Sequence, residues 1–179
     1  MLTYLGIFYI KKLNSVKKNE SVIRLFAIAK LLMPAFVKIH RDILGSRKGV
    51  YLAIRPIYKN VGEPVFGEII GELPCEKVEE KKKFAIEKIN RMKTNGEYCS
   101  FQSENEEQKQ FGGGIRATRY FISPSGFPPH LDQKFAIKVA LMAEELRVKD
   151  FHEIMDLSLL NVNVSRRKNG ELPIPLSKF

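Results

Sequence analysis

Gly112-Gly113-Gly114-Ile115-Arg116-Ala117-Thr118-Arg119-Tyr120-Phe121-Ile122-Ser123-Pro124-Ser125-Gly126, running on into Phe127-Pro128-Pro129-His130-Leu131-Asp132, is the stretch whose reading decides the fold of this 179-residue chain. A glycine cluster enters a strand over 115–123, Ser125-Gly126 turns the chain, and an amphipathic helix predicted over 131–148 leaves it. Phe135, Val139, Met142 and Leu146 form the apolar stripe of that helix, and Ala136, Ala140 and Ala143 give it a small-residue flank. Glycine lets a backbone approach a ligand or another backbone closely. The first turn of a helix offers free N–H groups to an anion.

Upstream, Val50 to Tyr58 alternates as a strand with Val50, Leu52 and Ile54 on one side, and Pro56 places its end at an edge or bulge. After turn residues 59–64, the positions Val65, Gly67, Ile69, Gly71 and Leu73 are expected on the inner face of a second strand. Pro74 opens a helix over 75–94 whose stripe is Val78, Ala85, Ile89 and Met92. The charged run Glu76 to Lys83 reads as its solvated face. Tyr98 to Gln102 is expected as a short strand and Ser103 to Gln110 as a polar loop.

Further upstream, Val22, Leu25, Phe26, Ala29, Leu32 and Met33 fall at helical spacing, and Pro34 kinks this helix or begins another. Leu2 to Ile10 reads as an edge strand or a docking helix, and Lys11 to Asn19 as a basic linker. The expected organisation is an extension over 1–19, one domain over 20–156 and a tail over 157–179. The order helix, strand, strand, helix, strand, strand, helix defines an α+β domain, mainly antiparallel and flanked by helices, of the profilin or PAS type.

A hydrophobic content of 44% and an aromatic content of 10% exclude a disordered chain. The net charge of +10 is concentrated: residues 1–60 carry 12 Lys and Arg against Glu20 and Asp42. Such an end attracts nucleic acid or anionic lipid, or serves solubility. No apolar run has the length to span a bilayer, and the lysines follow the apolar start, the reverse of a secretory signal, so a cytoplasmic location is expected. Cys75 and Cys99 show no ligand spacing and read as reduced thiols.

The helix over Lys82 to Met92, Gly113-Gly114, Ser125-Gly126 and Asp132 before an Ala-rich helix together resemble the small haem-binding HbpS/GlcG-like proteins over about residues 20–147. The resemblance implies a non-enzymatic or accessory domain that binds haem or a related small ligand, often as a homo-oligomer. Between double glycine and Ser-Gly only Ile115 to Pro124 remain, too few for two full strands and a turn. Two histidines are candidate haem ligands: His40, near the end of the amino-terminal helical region where some relatives use a histidine, and His130, beside the Ser-Gly turn.

The candidate ligand-binding set is therefore Gly113, Gly114, Arg116, Arg119, Ser125, Gly126 and His130, with the arginines offering bidentate contact to a propionate, phosphate or carboxylate. No catalytic constellation is readable; Cys75 near a helix start is better explained as a buried small apolar residue, and Asp132 as charge in the first turn of its helix. The expectation is a protein that binds a small anionic ligand, haem first among them. The alternative is an accessory protein that uses its basic amino-terminal region on nucleic acid or an anionic membrane surface.

Overall fold

β1 (Lys48–Pro56) runs through the middle of the molecule, with β2 (Phe66–Glu72) antiparallel on one side and β4 (Tyr120–Ser125) antiparallel on the other. The two-residue β3 (Ile115–Arg116) completes a four-stranded sheet of order β2-β1-β4-β3. This computed structural model describes residues 3–61 and 65–157, with side chains from residue 20 onward. The α+β architecture with an antiparallel sheet flanked by helices is as the sequence predicts.

Alternation along β1 sorts the layers. Val50, Leu52 and Ile54 are fully buried beneath α1 (Thr3–Ile39) and α4 (Pro129–Met142), among Leu25, Ala29, Met33, Phe36, Phe135 and Val139. Ala53 turns to the other face and packs with Phe121 against Ala85, Ile89 and Met92 of α3 (Val78–Asn95). Ala136, Ala140 and Ala143 are buried in the first layer, so the small-residue flank serves packing within the chain.

Several expectations are corrected. The segment 11–19, read as a linker, lies inside α1, which runs unbroken from Thr3 past Pro34. The strand expected over 115–123 is a hairpin: Ala117 N donates to Tyr120 O at 2.8 Å, and Ile115 pairs with Ile122. The strand expected over 98–102 is reduced to a single bridge, Cys99 to Ile115, in a turn-rich segment. The guanidinium of Arg91 holds that segment by donating to the carbonyls of Ser100 and Phe111.

The face of β2 is also reversed. Its buried residue is Ile70, under α1, while Ile69 is 41% exposed. The reason is where α3 lies: it packs across β1 and β4 and leaves the second face of β2 uncovered. The last long helix stops at Met142, six residues early, because Glu144 takes a left-handed conformation (φ 58°) and Glu145 N returns to Ala140 O. Met142 is exposed, and a further helix occupies 148–157. A one-turn helix, α2 (Arg41–Leu44), follows α1, and a 3-10 turn, Cys75–Lys77, precedes α3. The expected tail, from residue 158 on, lies outside the described residues.

Candidate ligand cleft

The uncovered face of β2, the start of β1, the first turns of α3 and the Ser125-Gly126 end of β4 enclose an open cleft of about 1430 Å³. Its floor is built by a buried ion pair. Lys88 of α3 and Asp132 of α4 come from opposite faces of the sheet and meet past the end of β4, with 3.2 Å between Nζ and Oδ2. Their side chains are 2% and 3% exposed.

Each partner is further tied. Lys88 Nζ donates to Pro124 O at 3.0 Å, and Asp132 Oδ1 accepts from Phe127 N at 3.0 Å. Burial pushes the Asp132 carboxyl up, opposed first by the Lys88 charge and then by the N–H groups of Phe127 and Gly126. Charge-assisted bonds of this kind make a buried pair tolerable only when the remaining polar groups are satisfied.

Two glycines are required here for space. A Cβ on Gly113, whose φ is +108°, would meet Asp132 Cβ at 2.7 Å and Pro129 O at 2.8 Å. A Cβ on Gly126 would meet Gly49 O at 2.5 Å and Val50 Cα at 2.9 Å. Both glycines thus admit neighbouring chain. Gly114 is likewise packed against Met92, with its N–H donating to Ser100 Oγ at 2.8 Å.

The mouth of the cleft is basic over an apolar wall. Lys77, Lys81 and Lys109 gather around Glu80, whose carboxyl is held below its usual value first by the hydrogen bond from Lys81 and then by the three charges. Arg47 and Lys48 stand on the rim, Lys48 3.3 Å from Glu72. Phe84 and Phe111 meet edge to face with centroids 5.3 Å apart, and the Lys81 ammonium lies 5.4 Å from the Phe84 centroid. Such a surface offers ring stacking, apolar contact and cations together.

The sequence candidates divide. Ser125 and Gly126 line the cleft, and Gly113 lies against the Lys88–Asp132 pair beneath it. Arg116 lies over the Tyr98 ring, 5.6 Å from its centroid, and Arg119 is paired with the buried carboxylate of Glu145. Arg119 precedes β4 and Ser125 ends it, so at about 3.4 Å per residue some 20 Å separate them. The arginines therefore do not join the cleft, which corrects the expected convergence.

Neither histidine lines the cleft. His40 packs its ring on Phe36, with centroids 4.6 Å apart, and His130 is its neighbour on α4. Both imidazoles are held below the usual value, first by desolvation and then by cations: Lys134 and Lys138 act on His40, and Lys134 on His130. No His, Met, Cys or Tyr occurs among the lining residues, so they supply no usual axial ligand for a haem iron. Among the described residues no cluster of three His, Cys, Asp or Glu is placed to hold a metal ion. Cys75 is exposed, against its expected burial, Cys99 is buried, and neither is in a disulfide.

Lys88 is the residue sequence reading missed. It falls between Ala85 and Met92 at i+3 and i+7, inside the apolar stripe of α3, and a lysine there is the signal that was available. No protein-family model, curated protein or solved structure matches this chain.

Proposed function

We propose that this domain binds a small amphipathic organic anion in the cleft, its apolar body against Phe84, Phe111 and Ile69 and its acid group at the lysine-rich mouth. The observation that carries the reading is the gathering of Lys77, Lys81 and Lys109 around one carboxylate, above an aromatic wall. Ligand sites are concave, mostly apolar and fitted with few polar groups, and this cleft has that make-up. The buried Lys88–Asp132 pair keeps its floor rigid by joining helices from the two faces of the sheet.

Haem is the first ligand to test, bound through its propionates and porphyrin face. The cleft then treats haem and metal-free protoporphyrin alike, because no lining side chain of the usual ligand types reaches for iron. Titration of the full chain with both compounds, followed by absorbance and by fluorescence, should give saturation with similar affinities. Lys77→Glu with Lys109→Glu should weaken both at least tenfold, while Arg116→Ala, His40→Ala and His130→Ala leave them unchanged. Failure of either porphyrin to saturate the protein removes the porphyrin assignment; binding indifferent to the lysine reversals removes the cleft.

A further inference from the structure

α1 is 37 residues long, and among its described side chains, from residue 20 onward, Val22, Leu25, Ala29, Met33 and Phe36 are buried against the sheet. On the opposite side of the helix, Ile23 is 65% and Leu31 73% exposed, with Ala27 exposed between them at i+4. Such spacing is a ridge along the helix. Counted back at 3.6 residues per turn, positions 5, 9, 13 and 16 fall on the same ridge, and they are Leu5, Tyr9, Leu13 and Val16. From position 5 to position 31 the ridge is about 39 Å long. Glu20 is its one acidic interruption, and it is the only acid before Asp42.

Four of the seven Lys and Arg positions of α1 border this ridge, 12 and 30 on one side and 17 and 24 on the other, while 11 and 18 fall on the opposite face. Lys30 reaches Glu68 of β2. An apolar stripe bordered by long basic side chains matches the boundary between headgroups and acyl chains, where the stems of Lys and Arg lie along apolar surface and their charges reach outward.

We propose that the outward face of α1 binds the surface of an anionic bilayer, lying in the plane of the interface. Charge decides the occupant. A second copy packed ridge to ridge would bring the bordering cations of the two helices together with only Glu20 to offset them. A nucleic acid would meet the cations but would leave the apolar ridge without a partner. No described helix is long and apolar enough to cross the membrane, which is consistent with a helix lying on it. Since α1 covers one face of the sheet and the cleft opens on the other, the anchored protein would present the cleft away from the lipid.

The test uses full-length protein and flotation with vesicles of phosphatidylcholine alone or mixed with phosphatidylserine. Binding should require the anionic lipid and fall with added salt. Ile23→Glu with Leu31→Glu, at positions exposed in the fold, should weaken it at least tenfold with an unchanged circular dichroism spectrum. Neutralising Lys12, Lys17 and Arg24 to Gln should weaken it about fivefold per cation. Equal binding to both vesicle types, no binding to either, or indifference to the Ile23 and Leu31 changes would overturn the proposal. So would a dimer broken by those two changes without vesicle binding, or RNA or DNA binding that depends on the cations alone.

Discussion

Replacing Asp132 by Ala should be among the most costly single changes available in this protein. It strands the ammonium of Lys88, whose side chain is 2% exposed, and removes the acceptor for the N–H groups of Phe127 and Gly126. Removing one partner of a buried pair costs about 3–5 kcal/mol. For a chain of this length about 2–4 °C accompany each kcal/mol, so the midpoint should fall by roughly 6–20 °C. Lys88→Met should cost a similar amount at neutral pH for the converse reason, a carboxylate left buried alone. Burial already raises the Asp132 carboxyl, and Lys88 is the largest influence opposing that rise. A raised carboxyl makes stability fall as pH rises from its unfolded value through its folded one. The Lys88→Met protein should therefore regain stability as the solution is acidified towards the ordinary carboxylate range. The double variant Lys88→Met with Asp132→Asn keeps an acceptor for Phe127 N–H and carries no charge, and should cost about 1–2 kcal/mol, less than either single change. Urea unfolding followed by circular dichroism measures all three. Losses in the double variant equal to the sum of the singles, or an Asp132→Ala cost below about 1 kcal/mol, would refute the argument from a compensated buried pair.

Gly113→Ala combines a positive φ with backbone and side-chain contacts inside 3 Å, and should cost more than about 2 kcal/mol, whereas Gly96→Ala, at φ 71° with open space around it, should cost about 1 kcal/mol; paired thermal melts compare them. The lowered imidazoles of His40 and His130 mean that the unfolded chain takes up protons first as pH falls through 6.5. Stability should therefore drop across that range, and a His40→Asn, His130→Asn protein should show a flatter profile in pH-dependent denaturation. Arg119→Ala should destabilise by about 1–3 kcal/mol because it uncovers the partner of a carboxylate that is 4% exposed; a cost indistinguishable from zero by urea titration would show that Glu145 is held by other groups.

What could be read from sequence was what periodicity encodes. β1 and α3 were legible because Val50, Leu52 and Ile54, and Ala85, Ile89 and Met92, each obey one period and all face a core. β2 misled because period two names two faces without saying which is covered, and coverage depends on where α3 is laid. The hairpin 115–125 was hidden because its first strand is only two residues long. The continuity of α1 was hidden by Lys11 to Asn19, whose polarity resembles a linker when the helix beyond it is unknown. At the cleft, Ser125 and Gly126 were found through turn chemistry, but Lys88 was passed over because the stripe of α3 was read from its apolar members alone. Arg116 and Arg119 were near in sequence to the glycines and far in space from the cleft, a distinction that only strand direction can make.

The strand order β2-β1-β4-β3 also has a history in time. β1 and β2 adjoin in the chain, but the partner on the other edge of β1 is not complete until Ser125, so about 50 residues of synthesis after Glu72, roughly 3–11 s at about 5–20 residues per second, separate the two pairings. During that interval α1 and α3 can shelter the faces of the young hairpin, while the hydrogen-bonding groups along the second edge of β1 stay open to any extended chain nearby. The nascent protein is thus most vulnerable to mispairing before the Gly112–Gly126 stretch arrives, and a stall in translation between β2 and β4 should lower the yield of folded protein more than a stall of equal length placed after α4.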